Sequence, residues 1–133
     1  MKYVFIITVL ASIGCSPRIA PDAGWGHQRW ILTEMKGVPV QLSGGRRDAH
    51  LNFNPVEKTF AGNGGCNQIS GGYTLDKKTI HFNDVIATKM SCPDIEFENA
   101  FISELGRVDR YELRGNDLLL KKKREVLLRL SAR

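Results

Sequence analysis

From Trp25 onward, the chain consists mostly of short runs in which apolar and polar residues alternate, with turn residues between the runs. Alternation places every second side chain on one face, as in a half-buried β-strand. The predicted strands contain Trp30-Ile31-Leu32, residues 49–53, Ile80 and Phe82, Tyr111 and Leu113, and Leu118-Leu119-Leu120. Residues 121–124 form a charged turn before a last strand with Val126, Leu128 and Leu130, which predicts a closing hairpin.

One segment departs from this alternation. Three apolar residues recur at four-residue intervals, as on one face of an amphipathic helix: Phe97, Phe101 and Leu105. The spacing of Ser91 and Asp94 is typical of a helix N-cap, and Gly106 is expected to end the helix. We therefore predict one helix over about residues 93–106. The expected fold class is α+β, mostly β, with a curled antiparallel sheet or small barrel-like domain and one packed helix.

The first residues have the layout of a secretory signal, with Lys2, an apolar stretch over residues 4–13, and then Gly14 and Cys15. Ten residues rise about 15 Å as a helix, roughly half of a bilayer's hydrocarbon core, so the pattern favours a cleaved signal over a membrane span. Residues 10–15 resemble a lipobox, the site where bacteria lipidate a cysteine and cleave just before it.

Lipidation would attach acyl chains to Cys15, and two or more chains anchor a protein stably to a membrane. The alternative is ordinary secretion with a free Cys15. Ser16 stands where lipoproteins kept at the inner membrane often carry aspartate, which favours the outer membrane in a cell that has one. We therefore predict a lipoprotein signal peptide over residues 1–14, a tether over 15–24 and one folded domain over 25–133.

Several motifs follow one another through the predicted domain. They are Trp30 with Leu32, Gly65-Cys66-Asn67 followed by Tyr73, Thr88-x-Met90-x-Cys92, and Glu98-x-x-Phe101. In this order they resemble the META domain, the HslJ-like heat-shock family that is often found in bacterial lipoproteins. Ser91 departs from the small alanine that usually precedes the second cysteine. The resemblance implies a compact domain of antiparallel strands with one helix, a link to stress response, and no established reaction.

Lipidation of Cys15 would leave an even pair, Cys66 and Cys92. Export would place this pair in an oxidising compartment, where paired thiols normally form a disulfide. Two buried thiols and a reactive thiol are the alternatives. A cysteine hydrolase would also need a positioned histidine, and His27, His50 and His81 are scattered without a nucleophile signature.

The other polar features favour structural roles. The sequence lacks Cys-x-x-Cys and a histidine pair at helical spacing, so we expect no metal and no cofactor. Gly62, Gly64 and Gly65 would suit a backbone nest for an anion, but turns or a strand bulge are the favoured interpretation. In that interpretation, Asn67 bonds to turn backbone and Tyr73 fills the core. The remaining motif residues (Trp30, Thr88, Met90, Glu98 and Phe101) are expected to be structural as well.

The net charge of +5 permits attraction to anionic partners without specifying one. The basic run at residues 121–124 has no interleaved aromatic residues, so nucleic-acid binding is not expected. A solvated turn is favoured over a contact with anionic lipid. We expect a non-catalytic envelope lipoprotein, anchored through Cys15, that acts on an envelope protein partner as a stress-response or assembly factor. The alternative is a small-molecule or lipid carrier that uses the interior of the curled sheet.

Overall fold

The computed structural model describes residues 24–44 and 47–133. Within these residues the chain forms nine strands and one helix. The strands are β1 (Arg29–Met35), β2 (Val38–Pro39), β3 (His50–Asn54), β4 (Thr59–Asn63), β5 (Gln68–Asp76), β6 (Thr79–Ala87), β7 (Arg110–Arg114), β8 (Asp117–Lys122) and β9 (Glu125–Ala132), and the helix, α1, spans Ile95–Arg107.

All strand pairs are antiparallel, and the order β2-β1-β3-β4-β5-β6-β7-β8-β9 follows the chain closely. The sheet curls until β1, which pairs with β3 on one side, also pairs with β9 on the other. The curl is not a regular barrel, because β6 and β7 share only the pair Thr79 and Arg110. The helix α1 joins these two strands and contacts β6 and β9. The predicted α+β, mostly β fold class with a curled antiparallel sheet and one packed helix is confirmed.

The interior of the curl is packed with side chains. Four neighbouring strands each contribute an aromatic ring to it: Phe53 of β3, Phe60 of β4, Tyr73 of β5 and Phe82 of β6. The Phe53 ring lies 5.3 Å from that of Tyr73, and the Phe60 ring lies 5.3 Å from that of Phe82, both edge to face. Trp25 covers this group with its ring 4.7 Å from Phe53. Such contacts add stability beyond the burial of apolar area.

The helix predicted over about residues 93–106 is confirmed, but the residues that begin and end it differ from those suggested by the sequence. Asp94 is the N-cap, without a side-chain cap hydrogen bond, and the helix continues through Gly106 to Arg107. The chain around Ser91 is not helical and is tied to the turn before β5, because the Met90 N–H donates to Asn67 and Cys92 is bonded to Cys66. An exposed glycine one residue before the helix end can remain helical at a small cost.

The last hairpin forms as predicted, with its turn between β8 and β9, and Leu128 and Leu130 are buried, but Leu127 between the predicted positions is buried as well. A register shift between Leu120 and Lys121 interrupts the pairing of β8 with β9. Leu127 and Leu128 are both fully buried, whereas Val126 is half-buried. Because α1 packs against β9, this strand has no fully solvated face that would require strict alternation.

The predicted signal peptide, the lipidation site Cys15 and the tether up to residue 23 lie outside the described residues. Among the residues that the structure does describe, no helix combines the length and apolar character needed to cross a membrane.

Candidate functional site

Most motif residues meet where the turn before β5, the segment after β6 and the start of α1 come together. Glu98 on α1 is 2% exposed and extends its carboxylate into this turn. Its Oε2 accepts hydrogen bonds from the backbone N–H of Cys66 (3.1 Å) and of Asn67 (2.6 Å), and its Oε1 accepts one from Asn67 Nδ2 (2.7 Å). A buried carboxylate is stable only with such partners, and here it has three.

The Asn67 side chain connects Glu98 to the segment after β6. Asn67 is 1% exposed, and its Oδ1 accepts from Thr88 Oγ1 (3.1 Å) and from the Met90 N–H (2.6 Å). Thr88 Oγ1 in turn accepts from the Gln68 N–H at 3.1 Å. We call Asn67, Thr88 and Glu98, with the backbone of Cys66 and Met90, the motif network. It joins three segments that are distant in sequence.

The glycines of the turn are required by this geometry. A Cβ at Gly64 would lie 2.6 Å from Cγ of Glu98 and 2.7 Å from its Oε2, so any side chain there would displace the carboxylate. Gly65 has φ +115°, a backbone conformation that L-residues rarely adopt, and the Phe97 ring lies 3.0 Å from its ideal Cβ position. The cluster thus serves the turn and the approach of α1.

Cys66 and Cys92 form a disulfide, with their Cα atoms 6.2 Å apart. It joins the same two segments that Asn67 joins by hydrogen bonds. Closing a loop across 26 positions stabilises the folded state by roughly 3.5 kcal/mol on the chain-entropy estimate.

The other motif residues divide between the core and the surface. Trp30 is buried and its Nε1 donates to the Trp25 carbonyl at 2.9 Å, while Phe101 and Tyr73 are core residues. Met90 differs from them because its side chain is 60% exposed. Only its backbone takes part in the motif network.

The motif network has little capacity for chemistry on a ligand. Both oxygens of Glu98 and the side-chain amide of Asn67 are already hydrogen-bonded to protein groups. Over residues 24–44 and 47–133, no group of three His, Cys, Asp or Glu side chains is arranged to hold a metal ion. The three histidines lie on separate elements: His27 precedes β1, His50 begins β3, and His81 is exposed on β6.

A groove of about 980 Å³ with both apolar and charged lining residues lies beside the disulfide, and we call it the disulfide groove. Its walls are the segment around β2, the disulfide itself and the residues leading into α1, and they include Val38, Val40, Leu42, Met90, Pro93 and Phe97. Val38 is 66% exposed, so an apolar side chain on each wall, Val38 and Met90, faces solvent. The sequence reasoning missed this groove because its walls come from separate segments.

A second concave surface, of about 780 Å³, lies on the outer face of the sheet, and we call it the Arg29 groove. Its polar lining residues include Arg29, Arg47, His50, Asn52, Asn63 and Gln68. Nη2 of Arg29 lies 3.1 Å from Nδ1 of His50, which lies 2.8 Å from the Asp48 carbonyl. Burial lowers the pKa of His50, and the nearby charge of Arg29 lowers it further.

Asp48, next to Arg47 in the chain, is buried and lines the disulfide groove. Its carboxylate accepts from the backbone N–H and hydroxyl of Ser43 and from the N–H of Gly44, at 2.7–2.8 Å. The Ser43 N–H makes the largest contribution to holding the pKa of Asp48 below its ordinary value. The alternation of Asp48, His50 and Asn52 is the one sequence signal that could have placed polar residues here on one strand face.

Comparison with known proteins supports the fold and the family. An NMR structure with 21% sequence identity has a TM-score of 0.67 and matches over 85% of this chain and 95% of its own. An NMR structure of a protein from Burkholderia xenovorans has 19% identity, a TM-score of 0.67, and coverage of 96% and 99%. A crystal structure of a DUF4847 family protein from Bacteroides vulgatus has 18% identity, a TM-score of 0.62, and coverage of 83% and 95%.

At these identities the solved structures show a shared fold alone. No curated protein matches the sequence significantly. The sequence profile of the META domain matches residues 23–133, the whole of the folded domain. The chain therefore belongs to the META domain family.

Proposed function

We propose that the chain is an exported envelope lipoprotein whose META domain acts through protein contacts, as a non-catalytic factor in stress response or envelope assembly. The observation that carries the proposal is the motif network. Glu98 and Asn67 bond to each other and to backbone groups, so the motif supports the fold rather than a reaction. Contacts with other molecules are left to the outer surface.

The disulfide supports the exported location. Disulfides persist in oxidising compartments and are rare in the reducing cytosol. The bond between Cys66 and Cys92 is part of the turn that carries the motif, so the folded state uses oxidised cysteines.

The membrane anchor is proposed to be acylated Cys15, separated from the folded domain by nine positions up to Gly24. A fully extended tether of that length spans about 30 Å, enough to hold the domain close to the membrane. Metabolic labelling with a palmitate analogue tests the anchor directly. Label is expected in the wild-type chain and not in Cys15→Ala, and equal label in both would refute lipidation.

The disulfide groove is the surface best suited to a protein partner. Exposed apolar side chains grouped at one place are typical of interaction sites, and Val38 and Met90 project from its two walls. A photo-crosslinking amino acid can be placed at either position in intact cells. Leu113 on β7, which is 43% exposed and does not line the groove, serves as the control position.

We expect the same envelope protein to be captured from Val38 and from Met90, and not from Leu113. Capture of the same protein at equal yield from all three positions, or capture from neither groove position, would contradict the proposal. The carrier alternative has less support, because the aromatic rings of β3 to β6 pack against one another inside the curl.

A further inference from the structure

Arg29 forms no direct ion pair in the described part of the chain, although its charge interacts at longer range with the carboxylate of Asp48. Arg29 is half-buried on β1, and no carboxylate of residues 24–44 and 47–133 lies within 4.0 Å of its guanidinium. Its Nε is buried and has no hydrogen-bond partner. A half-buried cation with an unpaired N–H costs free energy, and an anion beside the accessible part of the guanidinium would offset part of that cost.

The neighbouring histidine cannot satisfy Arg29 without losing another bond. Nδ1 of His50 lies within hydrogen-bond distance of both Nη2 of Arg29 and the carbonyl oxygen of Asp48. Nδ1 with a proton donates to the carbonyl, and Nδ1 without one accepts from Arg29, but it cannot do both. One of the two groups is therefore left without its bond.

The lining of the Arg29 groove suits a negatively charged ligand. It includes Arg29, Arg47 and His50 and contains no aspartate or glutamate. The amide side chains of Asn52 and Gln68 add hydrogen-bonding groups along the sheet. The carboxylate of nearby Asp48 is turned to Ser43 and Gly44, which occupy both of its oxygens. The volume of about 780 Å³ falls in the usual range for small-ligand sites.

We propose that the Arg29 groove binds a small oxyanion, a phosphate or carboxylate group, through the guanidinium of Arg29. A guanidinium donates two parallel hydrogen bonds to such a group. With the anion bound to Arg29, Nδ1 of His50 keeps its proton and donates to the Asp48 carbonyl, so both groups are satisfied. Arg47 adds a second positive charge to the groove. This inference does not depend on the protein's location or on a protein partner, although the Arg29 groove shares Arg47, Cys66 and Met90 with the disulfide groove.

The test is an NMR titration of the purified, isotope-labelled protein with inorganic phosphate and, in a separate arm, with acetate, at constant ionic strength. We expect saturable shifts confined to the groove, centred on Arg29, His50 and Asn52. Tighter binding of phosphate would indicate a phosphate-bearing ligand, and tighter binding of acetate a carboxylate. Shifts that do not saturate, or that spread over all basic residues, would overturn the proposal.

Variants separate the site from general positive charge. Arg29→Gln is expected to weaken binding about tenfold or more, the range for a hydrogen bond to a charged group. Arg114→Gln, which removes a 63%-exposed arginine on β7 outside the groove, should leave affinity unchanged. Equal losses in the two variants would refute the site.

Two further readouts do not depend on the folding of Arg29→Gln. Arg47 is exposed, and Arg47→Gln should weaken phosphate binding severalfold. An unchanged affinity for phosphate in this variant would count against the site. In the wild type, bound anion should raise the pKa of His50, because it offsets the positive charge of Arg29 that lowers it. Besides Arg29, the charged groups around His50 are Asp48, which precedes β3, and Arg47 in the groove lining. An unmoved pKa at saturating phosphate would contradict binding at Arg29.

Discussion

Exchanging the chemistry of Glu98 and Asn67 tests whether the motif network holds the fold. In Glu98→Gln, the introduced amide can still accept from the two backbone N–H groups, but its NH₂ faces the NH₂ of Asn67 where a 2.7 Å bond now exists. The variant loses a charge-assisted bond worth about 1.5–3 kcal/mol and weakens two more. We expect the free energy of unfolding to fall by about 3 kcal/mol.

Asn67→Asp is expected to cost at least as much. The introduced carboxylate oxygen would face Oε1 of Glu98 at the distance of the present bond, and two like charges cannot both be accommodated there. The double variant restores the match, because the amide now donates to the carboxylate and the other oxygen at position 67 still accepts from Thr88 and Met90. Its net charge equals that of the wild type.

Urea unfolding, followed by the fluorescence of the buried Trp25 and Trp30 with the disulfide intact, measures all four proteins. The double variant should be less destabilised than the sum of the single variants by about 3 kcal/mol, the upper range for directly coupled residues. Glu96→Gln, at an exposed position of the same helix, should change stability by less than about 0.5 kcal/mol. Additive single effects would refute the network as described.

Three further outcomes follow from the described contacts. Replacing Cys66 and Cys92 together by serine should lower the free energy of unfolding by about 3.5 kcal/mol. An unchanged stability of this variant, together with no effect of reductant on the stability of the wild type, would contradict the bond. Gly65→Ala should lower the free energy of unfolding by about 1–3 kcal/mol because Gly65 has a positive φ. Gly106→Ala, which adds a methyl group in open space within the helix, should raise the free energy of unfolding by about 0.5 kcal/mol. The reverse order in urea unfolding would contradict the structure. The pKa of Asp48 is lower in the folded state than in the unfolded state. The contribution of Asp48 to the free energy of unfolding is therefore complete above the unfolded pKa of about 3.9, and it is lost as pH falls through the folded pKa. Asp48→Asn should therefore make the free energy of unfolding less dependent on pH below about pH 4. The same dependence on pH in the variant and the wild type would contradict this role of Asp48.

The sequence predicted strands well where one face is apolar and poorly where close packing requires glycine. The predicted set of strands lacked the two-residue β2, and it lacked β4 and β5, which carry Gly62 and Gly71. A Cβ at Gly62 would collide with the His50 carbonyl on β3, and one at Gly71 would lie 2.8 Å from the Asn83 carbonyl and 2.9 Å from the Phe60 ring. The glycines that allow these strands to approach one another therefore also interrupt the alternation of apolar and polar residues by which a strand is predicted.

The residues of the motif network could be predicted from the sequence, but the contacts between them could not. The motif drew attention to Asn67 and Glu98, but their separation of 31 positions gives no local pattern that would indicate a hydrogen bond between them. The Arg29 groove was harder to predict, because its lining residues come from β1, from β3 to β6 and from the loops between strands, and they meet only when the sheet curls. Pairings of this kind depend on tertiary register rather than on local spacing.

The mass of the intact protein, taken from the membrane fraction of its native cells without reductant, tests the account as a whole. We predict a chain that begins at Cys15, carries acyl groups on that residue, and lacks the two hydrogens that oxidation of Cys66 and Cys92 removes. An uncut chain with Met1, two free thiols and a cytosolic distribution would contradict it.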